Sequence, residues 1–154
     1  DAGDQSGYSV SLSSNGSRVA IGAYKNDGSS GTNAQAGHVR VYEYSSGSWT
    51  QLGGDIDGED SGDQSGHSVS LSNDGTIVAI GSYSNDDGGN NAGHVRVYKY
   101  SNSSWTQIGD DVDGEATNDW LGYSLSLSGD GSTFASGAYA AASGSGEVRV
   151  YEYS

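Results

Sequence analysis

Gly66-His67-Ser68-Val69-Ser70-Leu71-Ser72 is the stretch that decides the fold, because the chain carries it three times. It stands earlier as Gly7-Tyr8-Ser9-Val10-Ser11-Leu12-Ser13 and later as Gly122-Tyr123-Ser124-Leu125-Ser126-Leu127-Ser128. The offsets are 59 residues (66 − 7) and 56 residues (122 − 66). A period of that size marks an array of supersecondary units, each of which needs a neighbour to bury its faces. Repeat units are accordingly expected at 1–65, 66–121 and 122–154, forming one array.

Outward from that heptapeptide, each unit reads as four short antiparallel strands. Serine alternating with Val or Leu has the period of a strand. A tight turn follows at Asn15-Gly16, Asp74-Gly75 or Asp130-Gly131, dipeptides that accept positive φ. The second strand is Val19-Ala20-Ile21-Gly22, Val78-Ala79-Ile80-Gly81 or Phe134-Ala135-Ser136-Gly137. A loop of variable length leads to Val39-Arg40-Val41-Tyr42, Val95-Arg96-Val97-Tyr98 or Val148-Arg149-Val150-Tyr151, rich in strand formers. The fourth strand is Trp49-Thr50-Gln51-Leu52 or Trp105-Thr106-Gln107-Ile108; the last repeat lacks a counterpart. An acidic segment then returns the chain to the next unit.

Four antiparallel strands repeated in series predict an all-β chain of β-propeller blades. Ser70-Leu71-Ser72-Asn73-Asp74-Gly75 with Val78–Gly81 and Val95–Tyr98 resembles a WD-repeat blade without its Trp-Asp pair. Gly66–Ser70, Val78–Ser82 and Gly93-His94-Val95-Arg96-Val97-Tyr98 are similar to the FG-GAP repeats of integrin-like propellers. That family's calcium loop, between first and second strands, does not carry over: the connection here is a tight turn with at most one Asp. Three blades leave open ends ready to pair, so two chains closing a six-bladed homodimer are the expected assembly. The competing architecture is a β-trefoil, which also has three four-strand repeats.

Charge limits the partners. Twenty acidic residues against six basic ones give a net charge of −14, which excludes the basic footprint that nucleic acid requires. Anionic membrane surfaces are disfavoured for the same reason, and no apolar run is long enough for membrane insertion. With no Cys there is neither a disulfide framework nor a thiolate metal site. The chain contains no Met and opens inside a repeat, Asp4-Gln5-Ser6-Gly7 matching Asp63-Gln64-Ser65-Gly66. A fragment of a larger propeller with no independent function is therefore one expectation, and an extracellular or cell-surface location another.

In alternating strands the second-to-third loops and the returns to the next first strand share a face. Residues 25–36, 84–92 and 140–145 thus lie beside the acidic returns. Calcium takes six to eight oxygens from such loops. Asp55, Asp57, Glu59, Asp60 and Asp63 form one candidate calcium set, and Asp111, Asp113, Glu115 and Asp119 a weaker second, against the alternative of a solvated acidic turn. Trp120 breaks the repeat on this face and, with Tyr24, Tyr83 and Tyr139, is a candidate ligand contact. Trp49 and Trp105 recur at one strand start and read as packing, while Arg40, Arg96 and Arg149 read as partners for carboxylates.

The three histidines show no metal-ligand spacing, and no serine sits in a nucleophile elbow. The expected function is accordingly non-catalytic: a binding or adhesion module presenting its acidic loop face to a cation or a basic protein. A glycan-binding, lectin-like propeller is the alternative.

Overall fold

Serine alternating with aliphatic residues gives each repeat a first strand with one small hydroxylated face and one apolar face. The computed structural model of the chain describes residues 2–28 and 34–152, and each repeat forms a separate antiparallel sheet. The first holds β1 (Ser9–Leu12), β2 (Arg18–Ala23), β3 (His38–Ser45), β4 (Ser48–Gln51) and β5 (Ile56–Asp57). The second holds β6 (Ser68–Leu71), β7 (Ile77–Ser82), β8 (His94–Ser101), β9 (Ser104–Gln107) and β10 (Val112–Asp113). The third holds β11 (Leu121–Leu127), β12 (Thr133–Ala138) and β13 (Glu147–Glu152), with the single turn α1 (Ala141–Gly144) in its variable loop. Residues 29–33 of the first variable loop lie outside the described residues.

Strand order follows the chain within each blade, β1-β2-β3-β4 in the first and β6-β7-β8-β9 in the second. This is a stack of propeller blades. The trefoil expectation falls because each repeat closes on its own sheet and packs face to face on the next. Neither ring closure nor a dimer is part of what the chain itself shows.

Each first hairpin is set by one side chain. Asp74 Oδ1 accepts from Ser72 Oγ (2.8 Å), Thr76 N (2.9 Å) and Thr76 Oγ1 (2.8 Å), and Ile77 N donates to Ser72 Oγ (3.0 Å). Asn15 and Asp130 repeat the arrangement in the other blades. The side chain mimics a backbone turn and leaves positive φ to the glycine behind it, +66° at Gly75.

Between blades, the serine faces make the close contacts. Ser9 Oγ donates to Gly66 O and Ser68 Oγ to Gly122 O, each at 2.7 Å. Leu71 N donates to Ser11 Oγ (3.0 Å) and Leu127 N to Ser70 Oγ (2.9 Å). The same interfaces hold the apolar cores, because Ser11 pairs with Ala20 and Ala20 with Val41 on one face of the sheet. Ala20, Val39 and Val41 pack on Val69, Leu71, Val78 and Ile80, and Ala79, Val95 and Val97 on Leu121, Leu127 and Phe134. The two ends of the stack lack such cover. Val10 and Leu12 are 63% and 61% exposed at one end, Val148 and Val150 71% and 67% at the other.

Two short strands are added to the four expected per repeat. The acidic returns add β5 and β10 to the edges of β3 and β8, pairing His38 with Asp57 and His94 with Asp113. That pairing builds the loop face.

Candidate functional site

Seven rings converge on this face. Tyr8, His67 and Tyr123 precede the first-strand serines, and Tyr24, Tyr83 and Tyr139 follow the second strands. Antiparallel pairing of first and second strands brings both sets to one place. His67 sits in the middle, with ring centroids 4.4 Å from Tyr83, 4.8 Å from Tyr123, 5.0 Å from Tyr8 and 5.5 Å from Tyr24. Tyr123, Tyr139 and Trp120 extend the cluster as near-parallel stacks at 4.9–6.2 Å. Tyr8 and Tyr139 keep more than half their surface in solvent. Trp120 and Tyr139 line a cleft of about 570 Å³ with residues 144–148.

Trp120 is held there at a backbone cost. Gln5, Gln64 and Trp120 occupy one repeat position, and all have left-handed φ, 55°, 59° and 59°. Each accepts, through its carbonyl, a turn hydrogen bond from the N–H of the ring residue three positions on. A bulky side chain in that region costs about 1–3 kcal/mol, a strain that concentrates at ligand-contacting positions. Tyr83 Oη donates to Gln64 Oε1 at 2.7 Å, fixing the ring beside Trp120. The four aromatic candidates from sequence, Trp120, Tyr24, Tyr83 and Tyr139, thus belong to one surface. Tyr8, His67 and Tyr123 were missed, although their shared repeat position was a readable signal.

The acidic candidates divide. Asp63 and Asp119 are buried turn caps: Asp63 Oδ2 accepts from Asp60 N and Asp119 Oδ2 from Ala116 N, both at 3.0 Å. Asp60 contributes backbone to the first of these turns. Burial pushes the Asp63 carboxyl up. Asp55 accepts both prongs of Arg40 (2.9 and 2.7 Å) and Gln51 Nε2 (2.7 Å), and the Arg40 bonds hold its carboxyl below the usual range. Glu115 and Asp119 meet Arg149 at 3.4 Å. The arginines therefore do pair with carboxylates.

Among the described residues, two groups stand close enough to hold a metal ion: His38, Asp55 and Asp57, and Glu59, Asp87, His94 and Asp111. In the second, ligand-capable atoms lie within 4.8 Å of one another. His94 is fully buried, and neither ring nitrogen has a hydrogen-bond partner. Its Nδ1 lies 3.9 Å from Asp111 Oδ2 and 3.9 Å from Asp113 Oδ1. Burial first, then the Arg96 charge, lowers the imidazole to about 4, so it is neutral with a free lone pair near pH 7. Burial and the neighbouring Asp111 and Asp87 raise the Asp113 carboxyl. Local spacing hid this group, because its members lie on the return from blade one, a variable loop, a third strand and a second return.

The fold and its repeats define a β-propeller repeat protein. The FG-GAP repeat model matches residues 56–98, which run from β5 into the third strand of blade two. Among similar solved structures is the periplasmic gluconolactonase of Pseudomonas aeruginosa, with 18% identity and TM-score 0.61, covering 94% of this chain and 39% of that one. Another, from Bacteroides uniformis and provisionally titled a 6-phosphogluconolactonase, shows 14% identity and TM-score 0.59, covering 93% and 35%. The chain thus spans little more than a third of either. No curated protein sequence matches it. No helix among the described residues is long and apolar enough to cross a membrane.

These neighbours correct the functional expectation. The expectation of a non-catalytic binding or adhesion module rests on the acidic, variable loop face, and the expectation that the chain is no enzyme on the lack of a linear catalytic motif. Both neighbours sharing this fold carry lactonase names. The physical reason for the error lies in the architecture: a propeller assembles its sites from loops of different blades, so contributing residues are tens of positions apart.

Proposed function

We propose that this chain forms part of a propeller hydrolase that opens small, neutral, polyhydroxylated cyclic esters of the sugar-lactone class. The observation that carries the reading is the seven-ring surface with Trp120 stacked on Tyr123 and Tyr139. Flat aromatic faces match the apolar face of a sugar-like ring, and the surrounding carboxylates take up hydroxyl protons in hydrogen bonds. In the reaction, water adds to the lactone carbonyl carbon and the ring C–O bond breaks. The departing alkoxide gains a proton, and carboxylates of the same face accept the proton that the water loses. A net charge of −14 disfavours a phosphorylated lactone, so the neutral ester is the better substrate.

The names of the two lactonases support this reading, while their identity is too low to carry it alone. The periplasmic neighbour and the FG-GAP match support a setting outside the cytoplasm. We assign the uncovered ends of the stack to a second copy of the chain, which would complete the ring.

Hydrolysis of D-glucono-δ-lactone, followed by pH-stat, tests the reading. The expected result is a rate above the uncatalysed one that falls at least about tenfold in Trp120→Ala, the loss of a stacking contact worth about 1.4 kcal/mol. A folded chain with no acceleration overturns it, as does full activity in Trp120→Ala.

A further inference from the structure

We propose that Glu59, Asp87, His94 and Asp111 form a binding site for a divalent transition ion of the manganese, iron or zinc class, rather than for calcium. The inference goes beyond the hydrolase reading and stands without it.

Three carboxylates share a small volume with one imidazole, ligand-capable atoms lying within 4.8 Å of one another. Like charges at that range repel unless a cation joins them. Arg96 stands at one edge of the group, its Nη1 lying 3.2 Å from Glu59 Oε1 and its Nη2 donating to Asp57 O at 3.0 Å. Gln107 Nε2 donates to Asp111 Oδ1, which orients the carboxylate as a hydrogen-bonded partner orients a metal ligand.

The independent evidence is His94. A buried polar ring with both nitrogens unpartnered is costly, and a native structure keeps such a group for a reason. Its neutral form can donate a nitrogen lone pair, which calcium does not seek and borderline divalent ions do.

Blade one is an internal comparison. Its His38, Asp55 and Asp57 occupy the positions of His94, Asp111 and Asp113, but Asp87 corresponds to Gly28 there. Arg40 folds onto Asp55 of its own blade, at 2.7 Å. Arg96 instead reaches Glu59 of the preceding return, while Asp111 accepts from Gln107. The ion would also tie two blades, since Glu59 comes from the return leaving blade one and the other three ligands from blade two.

Mn²⁺ titrated into the EDTA-treated chain, followed by pulsed electron paramagnetic resonance and thermal melting, tests the site. The expected result is one saturable Mn²⁺ per chain, echo modulation from a bound imidazole nitrogen, and a raised melting temperature. Asp87→Asn and Asp111→Asn should each weaken binding at least about tenfold, since even indirect partners of a metal are worth that much. The exposed neighbour control Asp110→Asn should bind as the parent does. Lack of a saturable site, lack of nitrogen modulation, or an equal loss in Asp110→Asn overturns the proposal. Binding without lactone hydrolysis keeps it and removes the hydrolase reading; hydrolysis in EDTA without Mn²⁺ binding does the reverse.

Discussion

His67 shows how one substitution within a repeat changes the chemistry of a surface. Its counterparts are Tyr8 and Tyr123, which keep their rings at the rim, while His67 is buried among four tyrosines. Burial lowers its pKa below the ordinary 6.5, and Nδ1 has no hydrogen-bond partner. As pH falls below about 6.5 the unfolded chain takes up a proton that the folded ring refuses. Stability therefore declines with acid in that window and recovers as pH rises. The prediction is a fall in melting temperature between about pH 7.5 and about 5.5 that becomes shallower in His67→Tyr. Some slope remains, because burial lowers His38 and His94 as well. An unchanged slope in the variant shows that His67 is not among the groups responsible. At this scale the sequence was only partly legible. Trp120 stood out because it breaks the repeat, whereas His94 hid because its partners are remote in the chain.

At the scale of the element, the small residues explain how blades stack so closely. Gly22 lies against Gly66 O, and Gly81 against Gly122 O, so that a Cβ at either glycine would collide with the next blade's backbone. The serine hydroxyls of β1 and β6 then reach across with hydrogen bonds of 2.7 Å. Glycine is used here for closeness rather than for turning. Gly81→Ala should therefore destabilise the chain by about 1–3 kcal/mol, because the obstacle is backbone that cannot swing aside. Gly54→Ala, where an added Cβ meets nothing, is the control and should leave the urea midpoint near its parent value. Equal midpoints for the two variants would show that the blades separate at little cost. The main strands were legible because their serine–aliphatic alternation and their turn dipeptides agree. β5 and β10 were not, because two residues inside an acidic run carry no periodicity. Only pairing to β3 and β8 makes Ile56–Asp57 and Val112–Asp113 strands.

At the scale of the whole molecule, the two outer faces of the described stack match the two halves of an interface inside it. Inside the stack, Ala20, Val39 and Val41 of one blade bury Val69, Leu71, Val78 and Ile80 of the next, with Tyr98 and Trp105 packed alongside. The first blade carries the counterparts of the second group, Val10, Leu12, Val19, Ile21, Tyr42 and Trp49, on its outer face, which no other blade covers among the described residues. Trp49 is 47% exposed, whereas Trp105 is partly buried and donates to Leu52 O at 2.8 Å. The third blade presents Ser124, Ser126, Val148 and Val150, the counterparts of Ser9, Ser11, Val39 and Val41. Apolar surface of this kind drives association, and a head-to-tail contact closes where its rotation permits. Two chains docked at both ends would form a ring with every blade covered and no apolar end face exposed. The prediction is a native mass of two chains by light scattering on a size-exclusion column. Leu12→Asp, which places a charge where its counterpart Leu71 is buried, should give the mass of one chain without loss of β-sheet circular dichroism. A single-chain mass for the parent would sink the closed ring. A ladder of larger species would mean that the same contact forms but turns through an angle that does not close.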